Sequence, residues 1–115
     1  MEPGGQAALL PEERKTRENL VVLYITQAML GLISPSVRAV AVDACRDRLM
    51  VHFAVKDDST QLREDIEDIL GDLDALLYNE RIPDEWTISH EVHVGAPDEH
   101  WPGCHARRVF EVKVP

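Results

Sequence analysis

Two cysteines, Cys45 and Cys104, are too few to staple a chain of 115 residues into a disulfide framework. Reduced thiols in a cytosol are the expectation, with a single bridge between the two as the alternative. Aromatic residues are scarce as well, six in all, so aliphatic side chains must supply most of the core. No stretch approaches the ~18 consecutive apolar residues of a membrane span. The opening segment MEPGGQAALL has neither the basic start nor the long apolar run of a secretory signal. Glycine-rich phosphate loops are missing, and so are CxxC and HExxH. A basic stripe is missing too; Arg107-Arg108 is too small a patch to hold a nucleic acid backbone.

What the chain does have is acid, and it is concentrated. The formal net charge is −9, and all of it resides between Asp57 and Glu85. That stretch holds eleven acidic residues (Asp57, Asp58, Glu64, Asp65, Glu67, Asp68, Asp72, Asp74, Glu80, Asp84, Glu85) against Arg63 and Arg81. Elsewhere ten acidic and ten basic residues cancel. So local a field attracts cationic partners and repels nucleic acid and anionic lipid. The hydrophobic fraction, 44%, suits one buried core. Residues 1–10 read as a flexible lead-in and residues 11–115 as one domain.

Pro11 fits the first position of a helix, where a missing N–H costs nothing. Glu12 and Glu13 then lie in the first turn, on the favourable side of the helix dipole. This helix is expected to run to about Ile33 and to end at Ser34-Pro35. From Leu20 to Ile33 it is apolar almost all round, more than one stripe against a sheet requires. A second face must therefore be covered, by another helix or by a second copy of the chain. Val37 to Ala44 alternates as a strand, with Val37, Ala39 and Ala41 on one side and Val40 and Val42 on the other. After a polar turn at residues 45–48, Leu49, Val51, Phe53 and Val55 point inward, and Met50, His52, Ala54 and Lys56 outward. The two strands make a hairpin.

The second helix is the clearest element. Asp58 with Gln61 resembles a capping box. Leu62, Ile66, Ile69, Leu70, Leu73, Leu76 and Leu77 follow helical spacing over four turns. Glu64, Asp65, Glu67, Asp68, Asp72 and Asp74 occupy the other face, with Arg63–Glu67 as the one opposite-charge pair at i, i+4. A third strand is expected over Trp86–Val94, with Trp86, Ile88, His90, Val92 and Val94 on one side. A long loop follows, and Arg107–Val114 reads as a fourth strand with Phe110, Val112 and Val114 on one face. The order α-β-β-α-β-β predicts an α+β, two-layer domain: a four-stranded, largely antiparallel sheet with both helices on one face.

Chemistry is harder to place. His90, His93, His100, Cys104 and His105 could supply nitrogen and sulfur to a zinc ion, but their spacing fits no standard site. His90 and His93 also alternate across a strand. Cys104 next to His105 lacks an aimed imidazole and a third orienting group. Cys45 lies near Arg46 and Arg48, which would lower a thiol pKa, yet an ordinary turn thiol explains it equally. The carboxylates sit on a solvated helix face and not in the apolar cleft that would split their pKa values. No cofactor and no catalytic residue is expected. Protein binding remains.

The segment AMLGLISPSVRAV, Ala28 to Val40, resembles one found in small bacterial α/β proteins, some similar to immunity proteins of contact-dependent growth inhibition and related polymorphic toxin systems. The resemblance implies a cytoplasmic, non-catalytic protein that binds a cognate toxin domain, often a basic nuclease, and blocks its active site. The acidic contact surface would then comprise Glu64, Asp65, Glu67, Asp68, Asp72 and Asp74, extended by Glu80, Asp84 and Glu85. Trp86 and Trp101 are candidate aromatic anchors, because interface hot spots favour tryptophan; Trp86 also suits the core. The alternatives are a homodimeric adaptor that pairs through its first helix, and a metal-dependent enzyme.

Overall fold

The computed structural model describes residues 11–31, 33–44, 48–79 and 87–112. Helix α1 covers Pro11–Met29, strand β1 Val37–Ala44, β2 Arg48–Val55, helix α2 Thr60–Asn79, β3 Thr87–Val94 and β4 Arg107–Glu111. This is the expected α-β-β-α-β-β order in an α+β fold. The four strands form one sheet in the order β3-β2-β1-β4. β1 pairs antiparallel with β2 and with β4, whereas β3 runs parallel to β2. The parallel pair follows from length: α2 carries the chain back along the sheet, so β3 starts from the same end as β2.

α1 stops short of the expected Ile33. Leu30 N–H donates to the Gln27 carbonyl at 3.2 Å, and Gly31 takes φ +79°. A left-handed glycine just past the last turn is the commonest helix stop. Pro35 is left inside a tight turn, closed by Val37 N–H to the Ser34 carbonyl at 3.0 Å. α2 begins one residue later than a cap at Asp58 would place it. Ser59 is the cap, its Oγ accepting from Leu62 N–H at 3.0 Å. Asp58 instead binds Arg63 through two hydrogen bonds of 2.9 and 2.7 Å. Arg63 therefore turns back toward the helix start and not forward to Glu67.

The main core lies between the helices and one face of the sheet. Val21, Ile25, Ala28 and Met29 of α1 meet Leu62, Ile66, Ile69, Leu73 and Leu77 of α2 above Val40, Val42, Leu49, Val51, Phe53 and Val55. The inward set expected for β2 is the observed one. Val37 is not where simple alternation puts it. The β1–β2 register slips by one residue between Val37 and Ala39, a bulge at Arg38 that turns Val37 onto the helix side with Val40 and Val42. A second bulge, at Val109 of β4, brings both Val109 and Phe110 against that core, while Val112 stays exposed. Extra cover for the apolar first helix comes partly from α2: Val22 and Tyr24 pack against the shared core, but Leu23 and Leu30 remain exposed.

The opposite face of the sheet is covered too, by the segment 95–106. Trp101, Cys104 and Ala106 N–H groups donate to the carbonyls of Asp98, Trp101 and Gly103 at 3.0, 2.9 and 3.0 Å, so the segment is a series of tight turns. They lower the Trp101 indole, fully buried, onto Ala39, Ala41 and Ala54. Three alanines leave a shallow floor on which a large flat ring fits. His52 meets the indole edge-on at a centroid distance of 6.4 Å, and the Arg108 guanidinium stacks 5.0 Å above it. His52 and Ala54, expected to point outward, do leave the helix side, yet they are buried.

Candidate partner-binding surface

The acidic residues of α2 are displayed as the pattern of the helix dictates. One stripe (Leu62, Ile66, Ile69, Leu73, Leu77) is buried in the core, so the remaining faces must meet solvent. Glu64, Glu67, Asp68, Asp72 and Asp74 are exposed, and Asp65 is half-buried, accepting from Gln61 Nε2 at 2.9 Å. The helix holds six carboxylates against one guanidinium, a net of five negative charges. That guanidinium, Arg63, is engaged by Asp58, whose carboxyl it holds below the ordinary carboxylate range through their hydrogen bonds. The last turn holds no basic residue, so nothing there offsets the negative end of the helix dipole. Glu64–Asp68 and Asp68–Asp72 are like-charge pairs at i, i+4, each costing roughly 0.2–0.5 kcal/mol. Glu80, Asp84 and Glu85 lie outside the described residues.

Two features of this surface escaped the sequence reading. Tyr78 is 77% exposed and shares a stripe with Glu67, Gly71 and Asp74 by helical spacing. An aromatic ring on the acidic side, next to Leu77 but out of phase with the buried positions, was a readable signal. Gly71 is exposed in the middle of the helix, and a methyl group added there would meet nothing within 4 Å. The acidic face thus has a bare patch of backbone between Glu67 and Tyr78. Of the two candidate tryptophan anchors, Trp101 is fully buried and offers no surface to a partner, because the sheet's second face consumes it. Trp86 lies outside the described residues.

The histidines do not converge. His90 faces the helix side against the Phe53 ring at 6.4 Å, whereas His93 lies on the other face, packed beneath Gly95. His100 is exposed near Glu99, His105 is exposed, and the Cys104 thiol donates to the Glu99 carbonyl at 3.5 Å. Among the described residues no three metal-binding side chains come together. Cys45 and Arg46 fall outside them. Among the described residues the closest approach to a catalytic pairing is His52 Nδ1–H donating to Glu91 Oε1 at 2.8 Å. It is sealed in place: a methyl group at Gly103 would stand only 2.6 Å from His52 Cβ. The pair joins β2 to β3 beneath the 95–106 segment and does a packing job. No helix among the described residues is long and apolar enough to cross a membrane.

No curated protein matches this sequence. A family model described as MafI2 immunity protein matches residues 18–101. The match runs from within α1, through the acidic helix and β3, to the tryptophan that closes the second face, and on that extent the chain belongs to the MafI2 immunity protein family.

Proposed function

We propose that this chain neutralises a basic, nuclease-like toxin domain by covering its cationic active site with the acidic face of α2. Membership of an immunity protein family supports a toxin-immunity role in general and argues for a protein that acts by binding and not by catalysis. The observation that carries the finer reading is the exposure of Glu64, Glu67, Asp68, Asp72 and Asp74 on a single helix whose one arginine is already occupied. Such a face costs the helix stability through its like-charge pairs, and among the described residues no cation pairs with these five carboxylates. Opposite potential on a partner recovers that cost and speeds encounter. Tyr78 adds the exposed aromatic that a hot spot wants beside the charges. Glu80, Asp84 and Glu85 extend the surface in this proposal, which places the protein in the cytoplasm of a cell carrying a contact-dependent growth inhibition or related polymorphic toxin system.

The toxin domain encoded beside this chain, inactivated at its catalytic residue, is the probe. Asp68→Lys with Asp72→Lys changes the charge of the face by four. Affinity should fall by more than about tenfold, mostly in the association rate, and the salt dependence of binding should flatten. Unchanged affinity at low salt removes α2 from the interface.

A second reading has its own observation. Leu23 of α1 and Leu30, just past its last residue, are 59% and 74% exposed. A homodimer seam would cover them, and sedimentation of the pure chain decides it: a concentration-dependent dimer supports the adaptor reading, a monomer the inhibitor.

A further inference from the structure

The two edges of the sheet are built differently. β4 is five residues long, carries the bulge at Val109, and holds arginines tied to Glu18, Asn19 and Glu111. Shortness, bulges and charge are the devices by which natural sheets blunt an edge. β3 is neither short nor bulged, and its one charged side chain, Glu91, is tied to His52. Its eight residues, Thr87–Val94, pair with β2 in unbroken register and include no lysine, arginine or proline. Here β2 is the only described neighbour of β3.

Which groups of β3 are left over can be read from one bond. Gly95 N–H donates to the Val55 carbonyl at 2.8 Å. In a parallel ladder alternate residues send both N–H and C=O to the same neighbour, so Ser89, Glu91 and His93 face β2 along with Gly95. Ile88, His90, Val92 and Val94 therefore aim their main-chain groups away from it. No described backbone group bonds to those four from outside. Val94 is 57% exposed, and Ile88 and Val92 are only half-buried although they point to the helix side.

Charge selects the occupant. α2 is the crossover that joins β2 to β3, and its buried stripe shares the core with Ile88 and Val92 of β3. A second copy pairing β3 with β3 would set two helices of five net negative charges side by side, and they would repel. A cationic segment would be attracted by the same field. We infer that β3 is the docking edge for an extended segment of the basic toxin domain, which adds a fifth strand to the sheet while its basic side chains reach the carboxylates of α2. This rests on the function proposed above and supplies its mode of recognition: main-chain hydrogen bonds for affinity, side chains for choice of partner.

Amide hydrogen exchange on the isotopically labelled chain tests it, with the inactivated toxin domain encoded beside it as the probe. In the free chain the amides of Ser89, Glu91 and His93 should exchange slowly and those of His90, Val92 and Val94 fast. With the toxin bound, the fast set should slow by more than about tenfold, the loss of opening expected of amides newly hydrogen-bonded in a ladder. His90→Pro and Val94→Pro each delete one outward N–H without touching the β2 ladder, and each should weaken toxin binding by roughly tenfold, the equivalent of one good hydrogen bond; His90→Ala should change it little. Exchange at these amides that stays fast in a saturated complex overturns the inference. If Asp68→Lys with Asp72→Lys still abolishes binding in that case, the proposed function stands without it. Absence of any binding by the wild-type chain sinks both. Slowing that appears without toxin and grows with chain concentration assigns the edge to a second copy, and also overturns the inference.

Discussion

Gly71→Ala perturbs the acidic helix at its barest point, and its consequence for stability can be worked out in advance. Gly71 lies mid-helix, eleven residues past the first residue of α2, and is not among the glycines of positive φ. An alanine Cβ there would meet no atom within 4 Å, so no packing is gained or lost. What changes is the backbone entropy of the unfolded chain, which glycine raises, and exposed helix interiors put that difference at about 0.8–1.0 kcal/mol in favour of alanine. For a domain of this size the thermal midpoint should rise by about 4 °C. Urea unfolding followed by circular dichroism measures it directly, as a higher midpoint at unchanged slope. A midpoint that stays put or falls refutes the claim that this face of α2 is open. The same variant probes the partner. If a toxin surface lies close against the bare backbone between Glu67 and Tyr78, the added methyl group intrudes, and binding weakens while the fold strengthens. Opposite signs in the two assays are hard to obtain from a general disturbance.

Gly103→Ala should act the other way, because its methyl group would stand 2.6 Å from His52 Cβ and 2.8 Å from the buried Trp101 ring; overpacking of that kind costs about 1–3 kcal/mol, readable as a lower urea midpoint. Trp101→Ala should cost about 3–5 kcal/mol by stripping the second face of the sheet, while tryptophan fluorescence reports the loss; a smaller effect than a surface substitution would mean the indole is not seated on Ala39, Ala41 and Ala54. For Asp58 the sign follows from its partner. Arg63 lowers the folded-state pKa, so the pair stabilises above the ordinary carboxylate range and that contribution is lost as pH falls through the depressed value. Asp58→Asn should therefore lower stability at neutral pH, a small effect that salt shrinks because both groups are exposed, and wild type and variant should converge in acid. A gap that widens in acid contradicts the pairing.

The second helix and the hairpin were legible because each carries a strong period: Leu62, Ile66, Ile69, Leu73 and Leu77 on one helical stripe, and Leu49, Val51, Phe53 and Val55 on alternate strand positions. The acidic surface was legible for the same reason, since whatever is not on the buried stripe must face water. Places where the register of the backbone departs from its period were not. The bulge at Arg38 puts Val37 on the helix side, because one inserted residue reverses every face assignment beyond it, and the bulge at Val109 turns that residue as well as Phe110 toward the core. Gly31 was a readable stop for the first helix, overlooked in favour of the later proline.

Local chemistry settled the elements, their order and the place of the charge, since helix periods, turn residues and net charge depend on neighbours a few positions away. Long-range contacts decided the rest. That β3 runs parallel to β2, that Trp101 folds back over three alanines instead of anchoring a partner, and that β4 guards one sheet edge while β3 has no second neighbour among the described residues all depend on segments far apart in the chain meeting in space. Such meetings are fixed by the packing of the whole chain, which no short window of residues encodes.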